Sequence, residues 1–307
     1  MQTTETLTGF KKYVSLTRPH TLTAGFVPVF VGTFSALAFS DIRLDMFAAM
    51  LIATILIQSA TNMFNEYFDH KKGLDSKESV GIAGAIVRNG MRPKTVYMIA
   101  VAFYFTAALI GLYIAFQSSL WILVIGAVSM AVGYLYTGGP FPISWTPFGE
   151  IFAGLFMGTV IIMITFFIHT GSLEHYYFPL LISIPVAITI GLLNMANNIR
   201  DRKKDAESGR KTFVILAGKK NAVNTSALLL AVGYLFIIWF AFFAPESSLF
   251  LLLPLLSIPL AVKTVKLWKK GHTPVELIPA MASMGKLNTI FGMLLSLGLL
   301  IHGLTGL

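Results

Sequence analysis

The stretch NMFNEYFDHKKGLD, residues 62–75, closes an apolar run long enough to cross a bilayer with a string of amides and acids. Asn62, Asn65, Glu66 and Asp69 fall within two helical turns at the mouth of that run, in a chain that otherwise avoids charge. On a helix of 3.6 residues per turn, Asn62, Asn65 and Asp69 stand at i, i+3 and i+7 and share one face. A second stretch, NMANNIRDRKKD at 194–205, repeats the device with Asn194, Asn198, Asp201 and Asp205 at i, i+4, i+7 and i+11. Two amide–carboxylate stripes thus sit at the ends of two apolar runs.

The rest of the sequence says what those runs are. Of 307 residues, 55% are hydrophobic and only 12% charged, against roughly 25% charged in an ordinary soluble domain. Apolar runs of about 20 residues, the length that crosses a hydrocarbon core of ~30 Å, recur nine times, at roughly 21–39, 46–66, 95–115, 119–136, 149–168, 177–198, 224–243, 247–264 and 286–305. The chain therefore reads as a polytopic all-α membrane protein. Lys11, Lys12 and Arg18 precede the first run and no small-residue cleavage site follows it, which argues against a removable signal peptide.

Charge placement tests the count independently of hydropathy. Apart from Arg43, the Lys and Arg residues lie before the first run, between the second and third, between the sixth and seventh, or around the gap between the eighth and ninth. Nine crossings with the amino terminus inside put all of those on the cytoplasmic side, as the positive-inside bias requires, and leave the carboxyl terminus outside. The net charge of +9 is then first a topology signal, and nucleic acid binding is not implied. With no cysteine, disulfides, thiolate nucleophiles and Cys-ligated metals are excluded. The working surface belongs on the inner face, where the long charged loops are. One inner loop, GGPFPISWTPFG at 138–149, carries no Lys or Arg but three Pro and three Gly, the composition of a shaped turn.

Acids inside a bilayer cost ~2.5 to 3.5 kcal/mol on insertion scales, so they face an interior and find partners. Carboxylate and amide oxygens suit a hard cation such as Mg²⁺, which keeps waters and shares its shell with substrate phosphate. Glu66, Asp69, Asp201 and Asp205 could not approach an anionic phosphate without divalent ions between. Both stripes also sit at helix carboxyl ends, where the backbone dipole favours cations. Lys71, Lys72, Arg88, Arg202, Lys203, Lys204 and Lys211 surround them, with Lys72, Arg88, Arg202 and Lys211 singled out to hold diphosphate oxygens. The bland alternative is that these acids pair with neighbouring bases and mark the membrane boundary. A cation-coupled transporter is the competing class, although transporters more often place such groups near the midplane at broken helices.

At these residues the sequence resembles the UbiA superfamily of intramembrane prenyltransferases, whose two aspartate-rich motifs have the forms N-D-x-x-D-x-x-x-D and D-x-x-D-x-x-x-D. Here the first reads Asn65-Glu66-x-x-Asp69-x-x-x-Gly73 and the second Asn198-x-x-Asp201-x-x-x-Asp205. Glu66 and Gly73 depart from the pattern, with Asp75 two residues beyond. LTRPHTLTA (16–24), GIAGAIVRNG (81–90), GYLYTGGPFP (133–142), FGE (148–150) and NNIRDRKKDAESGRKT (197–212) are similar to the 1,4-dihydroxy-2-naphthoate branch, which forms menaquinone. A 4-hydroxybenzoate acceptor is the alternative within the superfamily.

The resemblance implies one membrane domain over 1–307, a nine-helix bundle around a central cavity open toward the cytoplasm, in a bacterial plasma membrane. It implies polyprenyl diphosphate and 1,4-dihydroxy-2-naphthoate as substrates, and Mg²⁺ held by Asp69, Asp201 and Asp205, with Asn65, Asn198 and Glu66 as further ligands. Arg18, Asn62, Tyr134, Tyr136 and Asn194 are the candidates for the acceptor and prenyl pocket. For Arg18, binding the naphthoate carboxylate and anchoring the first span stand as equal readings. The tyrosines are set against plain apolar packing, and Glu150 against a helix-start charge.

Overall fold

The computed structural model describes residues 9–75 and 84–306, and among them it contains helices, turns and no strand. After a short helix α1 (Phe10–Leu16) come α2 (Thr23–Ala36), α3 (Leu44–Lys71), α4 (Pro93–Gln117) and α5 (Trp121–Leu135). Then follow α6 (Gly149–Thr170), α7 (Tyr177–Glu207), α8 (Phe213–Phe243), α9 (Leu249–Lys270) and α10 (Pro274–Thr305). Each of the nine apolar runs coincides with one of α2 to α10. Seven of them are long and apolar enough to cross a membrane, whereas α2 and α5 are shorter apolar helices of 14 and 15 residues. At 1.5 Å per residue those two are about 21 to 23 Å long, less than a full hydrocarbon core. A 3₁₀ turn, Pro19–Thr21, leads into α2.

Helix ends and hydropathy ends differ, and the difference matters for the site. The α3 helix runs on to Lys71 and α7 to Glu207, well past the apolar limits at 66 and 198. Hydropathy falls at the first charged side chain, but backbone hydrogen bonding continues until something stops it. Likewise α10 begins at Pro274, not near 286: Thr273 Oγ1 accepts the Glu276 amide at 3.3 Å, and Pro274 takes the first helical position, where its missing N–H costs nothing.

The most buried of the long helices is α7, packed by α6, α8, α10 and α2. It lies close to α6 because α6 relaxes into a π-helical turn at Gly154–Val160, whose two glycines meet the backbone of Ala187. A Cβ at Gly154 would lie 2.6 Å from the Ala187 carbonyl oxygen, and one at Gly158 would lie 2.7 Å from the Ala187 Cα. The largest apolar core joins α2, α7, α8 and α10, with Val27, Ile182, Ile237 and Leu295 fully enclosed. On the other side α3 packs chiefly on α4, while α5 buries Ile122 and leaves most of its remaining side chains exposed or half-exposed. Between these two halves α3 to α7 enclose a cavity of about 510 Å³.

Candidate active site

The polar end of the cavity is built from the carboxyl ends of α3 and α7. Asn62, Asn65 and Asp69 line it from α3, and Asn194, Asn198, Asp201 and Asp205 line it from α7. Both stripes inferred from helical spacing therefore face one space. Each helix stops in the same manner. Gly73 (φ 71°) follows α3, with its amide bonded to the His70 carbonyl at 3.0 Å and the Leu74 amide bonded to the Asp69 carbonyl at 2.8 Å. Gly209 (φ 83°) follows α7, with its amide bonded to the Ala206 carbonyl at 3.1 Å and the Arg210 amide bonded to the Asp205 carbonyl at 3.0 Å. Both are Schellman caps, which need a left-handed residue that glycine supplies without a Cβ penalty. Gly73, which departs from the acidic pattern, is thus a helix terminator, and the chain beyond it carries Asp75 to the cavity wall.

The two ends are tied together by ion pairs. Arg210 Nη2 donates to Asp69 Oδ1 at 2.8 Å and its Nη1 lies 3.2 Å from Asp205 Oδ1, so one guanidinium spans the two motifs. Lys204 Nζ on α7 donates to Asp75 Oδ1 at 3.0 Å, a second link of the same kind. Asp201 is held in fork geometry by Arg200, with Nε to Oδ1 at 2.8 Å and Nη2 to Oδ2 at 2.6 Å. The Pro/Gly-rich loop covers this junction: the Trp145 ring lies 4.8 Å from Lys72 Nζ and 5.7 Å from the Arg210 guanidinium carbon. Lys72 Nζ also donates to the Thr137 carbonyl at 3.3 Å. Burial lowers the Lys72 pKa; Asp69 opposes that shift and Arg210 adds to it.

Neutral groups orient the second stripe. Asn198 Nδ2 donates to Glu150 Oε1 at 2.7 Å, and Asn194 Nδ2 donates to Tyr136 Oη at 2.6 Å. Tyr136 in turn donates to the Gly149 carbonyl at 3.3 Å. Glu150 stands in the first turn of α6 as a helix-start charge; it is buried and does not line the cavity, and its polar contact is the bond from Asn198. Asn62 Nδ2 donates to the Thr17 carbonyl and to Thr21 Oγ1, both at 2.9 Å, which fastens the α1–α2 linker to α3. Arg18, at the cavity edge in that linker, has a left-handed backbone (φ 49°), an uncommon conformation for a long side chain. Its Nη2 pairs with Glu66 Oε2 at 3.3 Å.

Several expected site residues lie elsewhere. Glu66 is 3% exposed and its carboxylate accepts the amides of Gly84 at 3.0 Å and Ile86 at 3.3 Å besides pairing with Arg18. It does not line the cavity, and what its carboxylate fastens is a loop. One residue on a helix turns the side chain by roughly 100°, which carries Glu66 away from Asn65. Tyr134 packs edge-on against Phe64 and Phe68, with centroids 5.2 and 5.6 Å apart, which is the packing reading; only Tyr136 of the pair lines the cavity. None of Lys72, Arg88, Arg202 and Lys211 lines the cavity either. Lys72 sits beside it over Trp145, Arg88 lies against Gly84, Arg202 follows Asp201 on the next face, and Lys211 is exposed with its amide bonded to the Trp145 carbonyl at 2.8 Å. Helical spacing does not single out Arg210, Arg200 or Trp145, which the fold brings to the site. The Ser-Gly pair after a charged helix end is a stop signal that returns the next residue over the helix, and it could have pointed to Arg210.

Among the described residues no three His, Asp or Glu side chains stand close enough to hold a metal by themselves. The donor set still fits a hard divalent ion. Such an ion takes one or two carboxylates and completes its shell with phosphate and water, and Asp69, Asp201 and Asp205 face one space with Asn65 and Asn198 beside them. Away from them the cavity becomes apolar between Met50, Ala107, Gly111, Gly126, Phe156 and Ile164.

A chain from Bacillus subtilis (strain 168), 1,4-dihydroxy-2-naphthoate octaprenyltransferase, is 50% identical over 286 residues, 93% of this chain and 91% of its own. Among solved structures, a UbiA homolog from Aeropyrum pernix K1 superposes with a TM-score of 0.66 at 16% identity, over 91% of this chain and 97% of its own. A UbiA homolog from Archaeoglobus fulgidus, solved bound to GPP and Mg²⁺, superposes with a TM-score of 0.60 at 14% identity, over 93% of this chain and 99% of its own. These two share the fold. The description "UbiA prenyltransferase family" matches residues 25–283, and the chain belongs to that family.

Proposed function

We propose that the chain transfers a polyprenyl group from polyprenyl diphosphate to 1,4-dihydroxy-2-naphthoate, releasing diphosphate and carbon dioxide and giving demethylmenaquinol. The observation that carries this reading is the convergence of the α3 and α7 ends on one cavity, polar where they meet and apolar beyond. A diphosphate head at the polar end places its chain along the apolar wall, and the small side chains there leave room for it. The Bacillus relative, named for this acceptor at half identity over nearly the whole chain, favours naphthoate over 4-hydroxybenzoate.

Asp69, Asp201 and Asp205 would hold Mg²⁺, with Asn65, Asn198 and Asp75 as further oxygen donors. Bound there, the ion neutralises charge that accumulates on the departing diphosphate. Arg210, paired with Asp69 on the cavity wall, supplies a cationic donor to the same oxygens. As the allylic carbon–oxygen bond breaks, diphosphate leaves with its electron pair. The apolar wall keeps water from the allylic cation, and the rings of Tyr136 and Phe156 offer it π-faces. The ring carbon that bears the carboxylate forms the new bond to the allylic carbon, and loss of that carboxylate as carbon dioxide leaves its bonding pair in the ring and restores aromaticity. Arg18, fixed by Glu66 in a strained backbone at the cavity edge, is suited to the acceptor carboxylate.

The same reading takes 1–307 as one membrane domain of a bacterial plasma membrane, with the motif ends and the amino terminus in the cytoplasm and the carboxyl terminus outside. The test is a membrane assay with polyprenyl diphosphate and either naphthoate or 4-hydroxybenzoate, with and without Mg²⁺. Prenylated naphthoate in the presence of Mg²⁺ is expected; product from 4-hydroxybenzoate alone overturns the acceptor.

A further inference from the structure

Arg210 is placed where a bound divalent ion would compete with it. Its guanidinium touches one carboxylate from each motif, Asp69 at 2.8 Å and Asp205 at 3.2 Å, and its side chain is only 11% exposed. Removing it without replacement would leave two acids facing each other in a partly buried site. A cation is therefore needed between the motifs even when no substrate is present. The backbone of Arg210 is pinned by the Schellman cap, so the guanidinium can move only through its own side-chain torsions. Two features make such movement cheap. Its buried Nε has no hydrogen-bond partner in the present position, so nothing is lost there when the side chain turns. Its guanidinium carbon lies 5.7 Å from the centre of the Trp145 ring, which can keep contact with the group in more than one orientation.

We propose that Arg210 is a built-in counter-cation: it occupies the carboxylates of Asp69 and Asp205 in the substrate-free enzyme, competes with the divalent ion for them, and turns toward the diphosphate when ion and substrate arrive together. This inference rests on the metal reading of the proposed function. It adds a consequence that a merely structural arginine does not have. Metal alone binds weakly because it must displace a resident cation, whereas metal with diphosphate binds well because the displaced cation gains a new anionic partner. Arg210 is in this sense a positioning residue that makes metal loading depend on the diphosphate.

The experiment measures Mn²⁺ binding by electron paramagnetic resonance on purified wild type and Arg210→Gln in detergent, first with the ion alone and then with inorganic pyrophosphate. In Arg210→Gln, Mn²⁺ alone is expected to bind about tenfold more tightly, because a positive charge within ion-pair distance of both ligands is gone. Pyrophosphate in the presence of Mn²⁺ is expected to bind about tenfold more weakly, because a charge-assisted donor is gone. The opposite signs are the point, since a merely structural role moves both affinities down or neither. Unchanged or weaker Mn²⁺ binding in folded Arg210→Gln overturns the proposal. Should that variant fail to fold, Arg210→Lys replaces it: one ammonium cannot span both acids as the fork does, so tighter Mn²⁺ binding than wild type is expected and equal or weaker binding overturns the proposal. Unchanged Mn²⁺ affinity in the variant beside metal-dependent turnover in wild type removes the role of Arg210 alone. A wild type that binds no Mn²⁺ and turns over without divalent ions removes the metal reading as well.

Discussion

The ends of α3 and α7 are built on one plan and used differently. Each places an aspartate four residues before the glycine of a Schellman cap, Asp69 before Gly73 and Asp205 before Gly209, so the same turn ends both stripes. After the turn the first helix delivers an acid, Asp75, and the second a base, Arg210. The partners then cross over: Asp75 pairs with Lys204 of α7, and Arg210 pairs with Asp69 of α3. All four polar residues of the α7 stripe and all three of the α3 stripe, Asn62, Asn65 and Asp69, line the cavity, whereas Glu66, one position off the α3 stripe, goes to a loop. Equal spacing thus sets which residues share a face, and an acid one position off that face is claimed by other contacts.

The sharpest way to break this comparison is to remove one acid from each helix. Asp69→Ala and Asp201→Ala should each lower turnover by at least about 10³-fold, as loss of charge stabilisation at a reacting diphosphate does. Membrane insertion should stay close to wild type, and full activity in either variant contradicts its role. Glu66→Ala should fail differently. Losing one partner of a buried ion pair costs about 3 kcal/mol, so it should melt well below wild type while the Mg²⁺ concentration for half-maximal rate stays unchanged. A raised Mg²⁺ requirement with normal stability would return Glu66 to the ligand set.

Subtler changes sharpen the picture. Asp75→Asn should raise the Mg²⁺ requirement about tenfold, the range seen when a supporting ligand contact is lost, and an unaltered metal titration would place Asp75 outside the site. Gly209→Ala should cost about 1 kcal/mol in thermal or denaturant unfolding, because a left-handed position then carries a Cβ. Lys211→Gln should change turnover by less than about twofold, as an exposed surface charge does; a large loss would mean that the side chain turns inward on binding.

Much of this was legible beforehand, for reasons that can be named. Hydropathy and Lys/Arg placement located every apolar helix, because crossing a bilayer leaves no other structure for a long apolar run. The 3.6-residue period placed Asn62, Asn65, Asp69, Asn194, Asn198, Asp201 and Asp205 on the faces that line the cavity. What stayed hidden depends on contacts across the chain. Glu66 looks like a ligand until Arg18 and the amides of Gly84 and Ile86 claim it. Tyr134 and Tyr136 lie roughly 200° apart on a helix, but which of them turns inward depends on the Phe64 and Phe68 rings. Arg210 could be placed over the end of α7 from Ser208 and Gly209, but its reach to Asp69 follows only from the way the α3 and α7 ends meet at the cavity.

The central claim is that the two oxygen-rich helix ends act together on a diphosphate through a divalent ion. Its most direct test is product formation from polyprenyl diphosphate and 1,4-dihydroxy-2-naphthoate by purified enzyme after exhaustive chelation, followed by Mg²⁺ add-back. Product should vanish on chelation and return with Mg²⁺; undiminished prenylation in the chelated enzyme would contradict the claim.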